Sequence, residues 1–297
     1  MTQRVLVLWF SQSGQARRVT DAFVGPLSDA GFDVSMVEVA PKTPYPFPWK
    51  AHQFFGQFPE TVLEKPIELA PLSIPPGDWD LVVLAGPIWF LSPSPPFTAF
   101  LQSEEASVLA GKRVLTLVAC RNLWVSGWRT LVRRIEGHGG RVLDRVVAIH
   151  GGKVFASYFT TLFWMLTGKR DAVKVLGKAE IEQRSFDRLA ELGALVAERL
   201  PGADADASLL GDEATATISY AHGFGEQLME PVFRVMATVV GAVSRPGSVL
   251  RSVGAYWIFS VILSAVVGLI LPCTLVRWVL SRWIDPWLDR KGALPVV

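Results

Sequence analysis

Five short apolar runs, separated by segments of helical periodicity, fill the first 150 residues and narrow the choice of fold more than any other feature. Val5 to Phe10 is rich in branched side chains and stops at Ser11-Gln12-Ser13-Gly14, as a buried strand entering a loop does. From Ala16 to Ala30 the positions Val19, Ala22, Phe23 and Leu27 recur at helical spacing, and Gly31 closes the segment. Asp33 to Val39 alternates and predicts a second strand. Leu81 to Ala85, Val114 to Ala119 and Val142 to Ile149 predict three more, with a short helix over Trp128 to Ile135 before the last. Strands alternating with helices imply an α/β fold, a doubly wound five-stranded parallel sheet covered on both faces. Such sheets bind ligands beyond the carboxyl ends of their strands, where the strand order reverses. The loops that matter therefore begin at Ser11, Gly86 and Cys120.

Composition removes several classes. Half the residues are hydrophobic, only 19% are charged and the net charge is +2, so neither disorder nor a general nucleic-acid binder is expected. Two cysteines cannot build a disulfide framework. His52, His138, His150 and His222 show no metal-ligand spacing, so no metal is expected. A mean hydropathy of +0.33 points to a membrane surface, an apolar ligand or a buried partner. Met1 leads into Val5-Leu6-Val7-Leu8 with no basic segment or small-residue cleavage site, and a cytoplasmic location is expected.

The first loop, Ser11-Gln12-Ser13-Gly14-Gln15-Ala16, offers two hydroxyls, a glycine that lets backbone curl around an anion, and the free N–H groups of a helix start. It has no lysine, which excludes a triphosphate loop. The bland alternative is a serine-rich helix cap. The second, Gly86-Pro87-Ile88-Trp89-Phe90, suits a flat ring stacked on aromatics, or two core aromatics. The third, Cys120-Arg121-Asn122-Leu123-Trp124, places polar groups where they could reach a heterocycle, or is a solvated loop. The coincidence of all three at successive strand ends favours one shared ligand.

The pattern strand, Ser-x-Ser-Gly-x-Ala, helix, followed by Gly-Pro-Ile-Trp after the third strand, resembles the flavodoxin-like family over residues 3–150 and the helix at 180–200. The resemblance implies strand order 2-1-3-4-5 and FMN as cofactor. Ser11, Gln12, Ser13, Gly14, Gln15 and Ala16 would then contact the phosphate. Pro87, Ile88, Trp89 and Phe90 would form one wall of the ring site, and Cys120, Arg121, Asn122 and Trp124 the other. Ala16 stands where many flavodoxins carry threonine, which removes one phosphate hydroxyl.

The expected domain plan is a core over 1–200 with insertions at 41–76 and 151–178, a linker at 201–223 and an apolar helical extension at 224–297. Tyr45-Pro46-Phe47-Pro48-Trp49 resists regular structure. The last helix of the core is expected over Ala179 to Leu200. Ser252 to Val276 is uncharged for 25 residues, a helix of roughly 37 Å against an apolar membrane core of about 30 Å. Trp257 lies at one end of it, and Trp278, Trp283 and Trp287 lie beyond the other. One crossing would export the flank with Arg277, Arg282, Arg290 and Lys291, against the positive-inside tendency. The alternatives are an in-plane hairpin with Val232 to Val243, or a helix packed on its own domain or on a twin subunit in a homodimer. Attachment to the inner face of the membrane through 252–287 is the expected arrangement.

A flavodoxin-like core with so much apolar addition suits an oxidoreductase with an alkyl-chain substrate better than a shuttle. The Cys-Arg-Asn-Leu-Trp and Gly-Pro-Ile-Trp-Phe segments resemble the dialkylresorcinol condensing enzymes, which sit beside a ketosynthase. That resemblance implies a flavin-dependent aromatase turning a dialkylcyclohexanedione into a dialkylresorcinol. His150, at a strand's carboxyl end, is the candidate base beside His222 and Tyr158, and Arg121 or Asn122 would steady an enolate oxygen. Cys120 reads as packing rather than nucleophile. The rival classes are an NAD(P)H or quinone flavin oxidoreductase and a membrane-tethered electron carrier.

Overall fold

A computed structural model of the chain describes residues 2–120, 123–149, 154–170, 181–214, 220–254, 256–257, 260 and 279. Strands β1 (Arg4–Trp9), β2 (Asp33–Glu38), β3 (Leu81–Trp89), β5 (Arg113–Cys120) and β6 (Arg141–Ile149) pair in parallel in the order β2-β1-β3-β5-β6. A two-residue strand β4 (Ser92–Pro93) folds back antiparallel on the end of β3. Without that hairpin the order is the expected 2-1-3-4-5.

The sequence dictates which strands lie inside. Every residue of β5 is buried, and Leu81 to Gly86 of β3 are too, as continuous apolar runs require. The edge strand β6 instead alternates along much of its length. Successive side chains point to opposite faces. Val5, Val7, Val83 and Leu115 pack beneath helices α1 (Gln15–Asp29) and α7 (Gln183–Arg199). Leu6, Leu8, Val82 and Val114 meet helices α4 (Pro95–Phe100) and α5 (Val125–Gly137) on the other face. The expected stripe of Phe186, Leu189, Leu192 and Val196 on α7 is buried. Gly193 lies among them, so close to α1 that a Cβ would stand 2.0 Å from the Phe23 carbonyl oxygen.

Two stretches differ from expectation. The turn placed at Gly86 is strand as far as Trp89, because β4 pairs Ser92 with Trp89 and Pro93 with Ile88. The reversal falls on Phe90 and Leu91, both left-handed with φ of 48° and 63°. The proline-rich insertion at 41–76 contains two short helices, α2 (Ala51–Gly56) and α3 (Phe58–Val62). Pro59 sits in the first turn of α3, where a missing N–H costs no helical bond.

The stretch expected as a linker, 201–223, is docked over part of its described length. Asp144 on β6 accepts bonds from Ser208 Oγ (2.6 Å) and from the N–H groups of Leu209 and Leu210 (both 2.9 Å). Both leucines are buried in the α1/α7 layer. Beyond it, α6 (Val154–Thr167) lies in the second insertion and α8 (Tyr220–Val243) in the extension.

The first insertion and the extension pack on each other. Phe58 meets Phe233 of α8 edge to face at 5.5 Å, and Phe90 fits between Phe54 (5.6 Å) and Phe58 (5.4 Å). Glu64 binds Arg134 of α5 and, at 2.9 Å, Arg234 of α8. Arg251, fully buried, donates to Glu60 at 2.7 Å. Most of 252–276 lies outside the described residues, so its path is not part of this architecture. Among the described residues no helix is long and apolar enough to cross a membrane.

Candidate functional site

The register sets the site. Trp9 of β1 pairs with Ala85 of β3, and Pro87 of β3 with Ala119 of β5, so the three strands end side by side along one edge. Between β1 and β3 the order reverses, because β2 follows β1 outward while β3 and β5 extend the other way. The loops predicted to share a ligand therefore do leave from neighbouring strand ends.

The first of them has features that would suit an anion cradle. Gly14 caps α1 in the left-handed conformation at φ 77°, with no atom within 4 Å of where a Cβ would sit. No side chain caps the helix, and its first turn carries no acid. The opening N–H groups of a helix lack intrahelical acceptors. Ser11 Oγ and Gln15 Nε2 are buried and have no hydrogen-bond partner among the described residues. Orphaned buried donors cost about 1–3 kcal/mol each, and an acceptor-rich group such as a phosphate would suit them. Ala16 turns its methyl into the core and can offer only its N–H.

Gln12 is engaged elsewhere. Its Nε2 donates to the carbonyl oxygens of Pro46 (2.8 Å) and Tyr45 (3.3 Å). This ties the loop to the first insertion. Tyr45, Trp49, Trp89 and Phe10 form one aromatic cluster. Tyr45 lies 5.2 Å from Trp49 and 5.5 Å from Trp89, and Phe10 lies 6.0 Å from Trp89. Trp89 thus lies in this cluster at the end of β3, and Phe90 turns away into the α2/α3 helices.

The third loop is different. Cys120 is buried at the end of β5, and Trp124, just before α5, packs on Trp128 at 6.1 Å with the Arg145 guanidinium 5.2 Å from its ring. The Trp124 ring is thereby committed to the layer between α5 and β6. Arg121, Asn122 and His150 lie outside the described residues, as do the side chains of Tyr158 and His222.

One group escaped the sequence reading. Glu226 of α8 is 1% exposed and accepts the Ser126 N–H at 2.8 Å, at the start of α5. Its Oε1 has no partner among the described residues. Burial pushes its pKa from the ordinary 4.5 to about 7, against the opposing pull of the Ser126 and Val125 N–H groups and Arg129. Nothing in the sequence singles it out from Glu230 and Arg234 of the same helix. Among the described residues no cluster could hold a metal.

The strand order defines a flavodoxin-like, doubly wound α/β fold. No protein-family model matches the sequence, and no curated protein matches it. Among solved structures the chain is similar to a flavodoxin from the domain Archaea, at 11% identity over 67% of this chain and 99% of that one, with a TM-score of 0.38. A flavoprotein in complex with FMN from Lactobacillus acidophilus NCFM shares 14% identity over 49% of this chain and 93% of its own, at 0.38. A flavodoxin described as a WrbA-like protein from Agrobacterium tumefaciens shares 14% over 67% and 98%, at 0.37.

Proposed function

We propose that the chain is a flavin-dependent oxidoreductase that holds FMN at the reversal of its sheet. The observation that carries this reading is the first loop, with two buried donors that lack acceptors among the described residues beside an uncapped helix start. Ser11, Gln15 and the opening N–H groups of α1 would hold the phosphate, and Trp89 would border the ring. Bound FMN would supply a two-electron acceptor.

Titration of purified protein with FMN, followed by quenching of flavin fluorescence, tests it. Ser11→Ala and Gln15→Leu are each expected to weaken FMN about tenfold or more, the worth of a hydrogen bond to a charged group. A wild-type chain that takes up no FMN sinks the reading.

The finer reading is an aromatase in a dialkylresorcinol pathway, beside a ketosynthase. A dialkylcyclohexanedione would lose a proton to a base and a hydride to FMN, becoming a dialkylresorcinol. Support comes from the resemblance of the Gly86 and Cys120 segments and from the apolar mass added around the site. Glu226 joins His150 as a candidate base, since a pKa near 7 suits proton transfer at neutral pH. Flavin reduction by a cyclohexanedione without a pyridine nucleotide favours the aromatase. Turnover only with NADPH and a quinone favours the quinone oxidoreductase, and a strongly stabilised one-electron state favours the carrier.

The extension would rest on the inner surface of the membrane. Val232, Val235, Val239 and Val243 expose one apolar stripe on α8, and Val249, Leu250, Val253 and Trp257 further along the chain are exposed too, with Val235 64% and Trp257 66% exposed. The uncharged 252–276 and the basic, tryptophan-bearing 277–291 follow in the chain. Co-sedimentation with vesicles of phosphatidylglycerol and phosphatidylcholine is expected for the wild type and reduced severalfold in Val235→Asp/Val239→Asp. Equal sedimentation of both proteins contradicts this placement.

A further inference from the structure

We propose that Tyr45 and Trp49 form a binding site for the oxygen of a flat carbonyl-bearing ring, a quinone or a cyclic diketone, beside the flavin position; this rests on the FMN reading above.

Two donors carry the inference. Tyr45 Oη and Trp49 Nε1 are both buried, and neither has a hydrogen-bond partner among the described residues. Each such atom costs about 1–3 kcal/mol unless something accepts its proton. Their ring centroids lie 5.2 Å apart, so the two donors are carried by neighbouring side chains of one aromatic cluster.

The kind of ligand follows from the chemistry of those atoms. An indole N–H can only donate. Burial, with the charge of Glu60 adding to it, pushes the Tyr45 phenol well above its ordinary range, so it too stays protonated and serves as a donor. The ligand atom that suits both must accept. A carboxylate would bring a full charge into an aromatic surround, whereas a neutral carbonyl oxygen brings only a dipole. Trp89, 5.5 Å from Tyr45 and 6.0 Å from Trp49, supplies an aromatic neighbour for the ring that bears the oxygen.

The position is tied to the cradle. Gln12 holds the Tyr45 and Pro46 carbonyls from within the first loop, and Phe10, the residue before that loop, lies 6.4 Å from Tyr45. Phe10 N–H in turn donates to the Ala85 carbonyl of β3 at 3.0 Å. Donors, cradle and sheet reversal therefore share one corner. Neither residue comes from the loops after β3 and β5; both come from the insertion after β2. That insertion thus gains a role in choosing the substrate.

Isothermal titration calorimetry of the FMN-loaded protein with 2,3-dimethyl-1,4-naphthoquinone tests the proposal, with 2,3-dimethylnaphthalene as the oxygen-free control. The wild type is expected to bind the quinone at least about tenfold more tightly than the hydrocarbon. Tyr45→Phe and Trp49→Phe are each expected to lose about tenfold in quinone affinity and to leave the hydrocarbon unchanged. FMN affinity, measured separately by fluorescence, is expected to stay within about twofold in both variants, which also reports that they fold. Equal quinone affinity in all three proteins, or no preference for the quinone over the hydrocarbon, overturns the assignment. If the wild type takes up no FMN, the flavin reading fails instead. The same titration on the flavin-free chain then still reads the two donors, and equal affinities there overturn the assignment as well.

Discussion

Gly193→Ala is expected to destabilise the protein by about 3 kcal/mol, although it adds one methyl group to a helix. The new Cβ would stand 2.0 Å from the Phe23 carbonyl oxygen and 3.0 Å from its carbon. Both atoms are backbone within α1, so no side-chain rotation relieves the contact. α1 and α7 must move apart, and the layer holding Phe23, Leu27, Phe186 and Leu192 loosens with them. At about 2–4 °C per kcal/mol for a domain of this size, the melting temperature should fall by about 6–12 °C. The start of α1 belongs to the proposed phosphate cradle, so FMN affinity should drop in the same variant. Gly25 provides the control. It lies within α1 with nothing near its Cβ direction, and Gly25→Ala should be neutral or gain up to about 1 kcal/mol. Similar melting temperatures for Gly193→Ala and the wild type would show that the two helices do not touch there.

Raising the pH from 5 to 8 should cost the wild type stability that Glu226→Gln keeps. The folded pKa of Glu226, about 7, lies above its ordinary 4.5. An acid whose pKa rises on folding binds its proton more tightly in the native state. Its stabilising effect is complete below about pH 4.5, declines as the pH climbs and is gone above about 7. The interval corresponds to about 3 kcal/mol. Burial is the main cause, since the ionised carboxylate of α8 would have one oxygen unpaired beneath α5. Glutamine keeps an oxygen for the Ser126 N–H and has no proton to lose. The wild-type melting temperature should therefore fall by about 6–12 °C more than that of Glu226→Gln over this range. Parallel curves for the two proteins would mean that Glu226 is not buried as described.

The sheet was legible because burial leaves a mark on strand composition. β1, β3 and β5 carry runs of branched residues that read as strands on sight, and the stripe on α7 reads as a helix packed on one side. Gly86-Pro87 misled because a turn dipeptide is a local signal, whereas the two-residue strand β4 that prolongs β3 is a pairing at a distance. Prolines at 46, 48 and 59 hid α2 and α3 in the same way. The loop from Ser11 to Gln15 was recognisable by residue type, yet nothing local shows that Gln12 faces the insertion rather than a ligand. Tyr45 and Trp49 were visible as aromatics; that their polar atoms lack acceptors among the described residues is a property of the packing. Glu226 was missed for the complementary reason, since its partner Ser126 lies 100 residues away.

The corner at Phe90 and Leu91 bears on how such a chain can vary. Positive φ at two successive residues suits Asn-Gly, and here it falls on two bulky side chains. Phe90 is gripped by Phe54 and Phe58, and Leu91 is buried. The bend is kept in place by its neighbours rather than by its own preference. A chimera that grafts this hairpin into a shorter relative, without the helices of the 41–76 arm, will not reproduce it unless the two residues are exchanged for ones at ease in that conformation. Arm and corner work only as a pair.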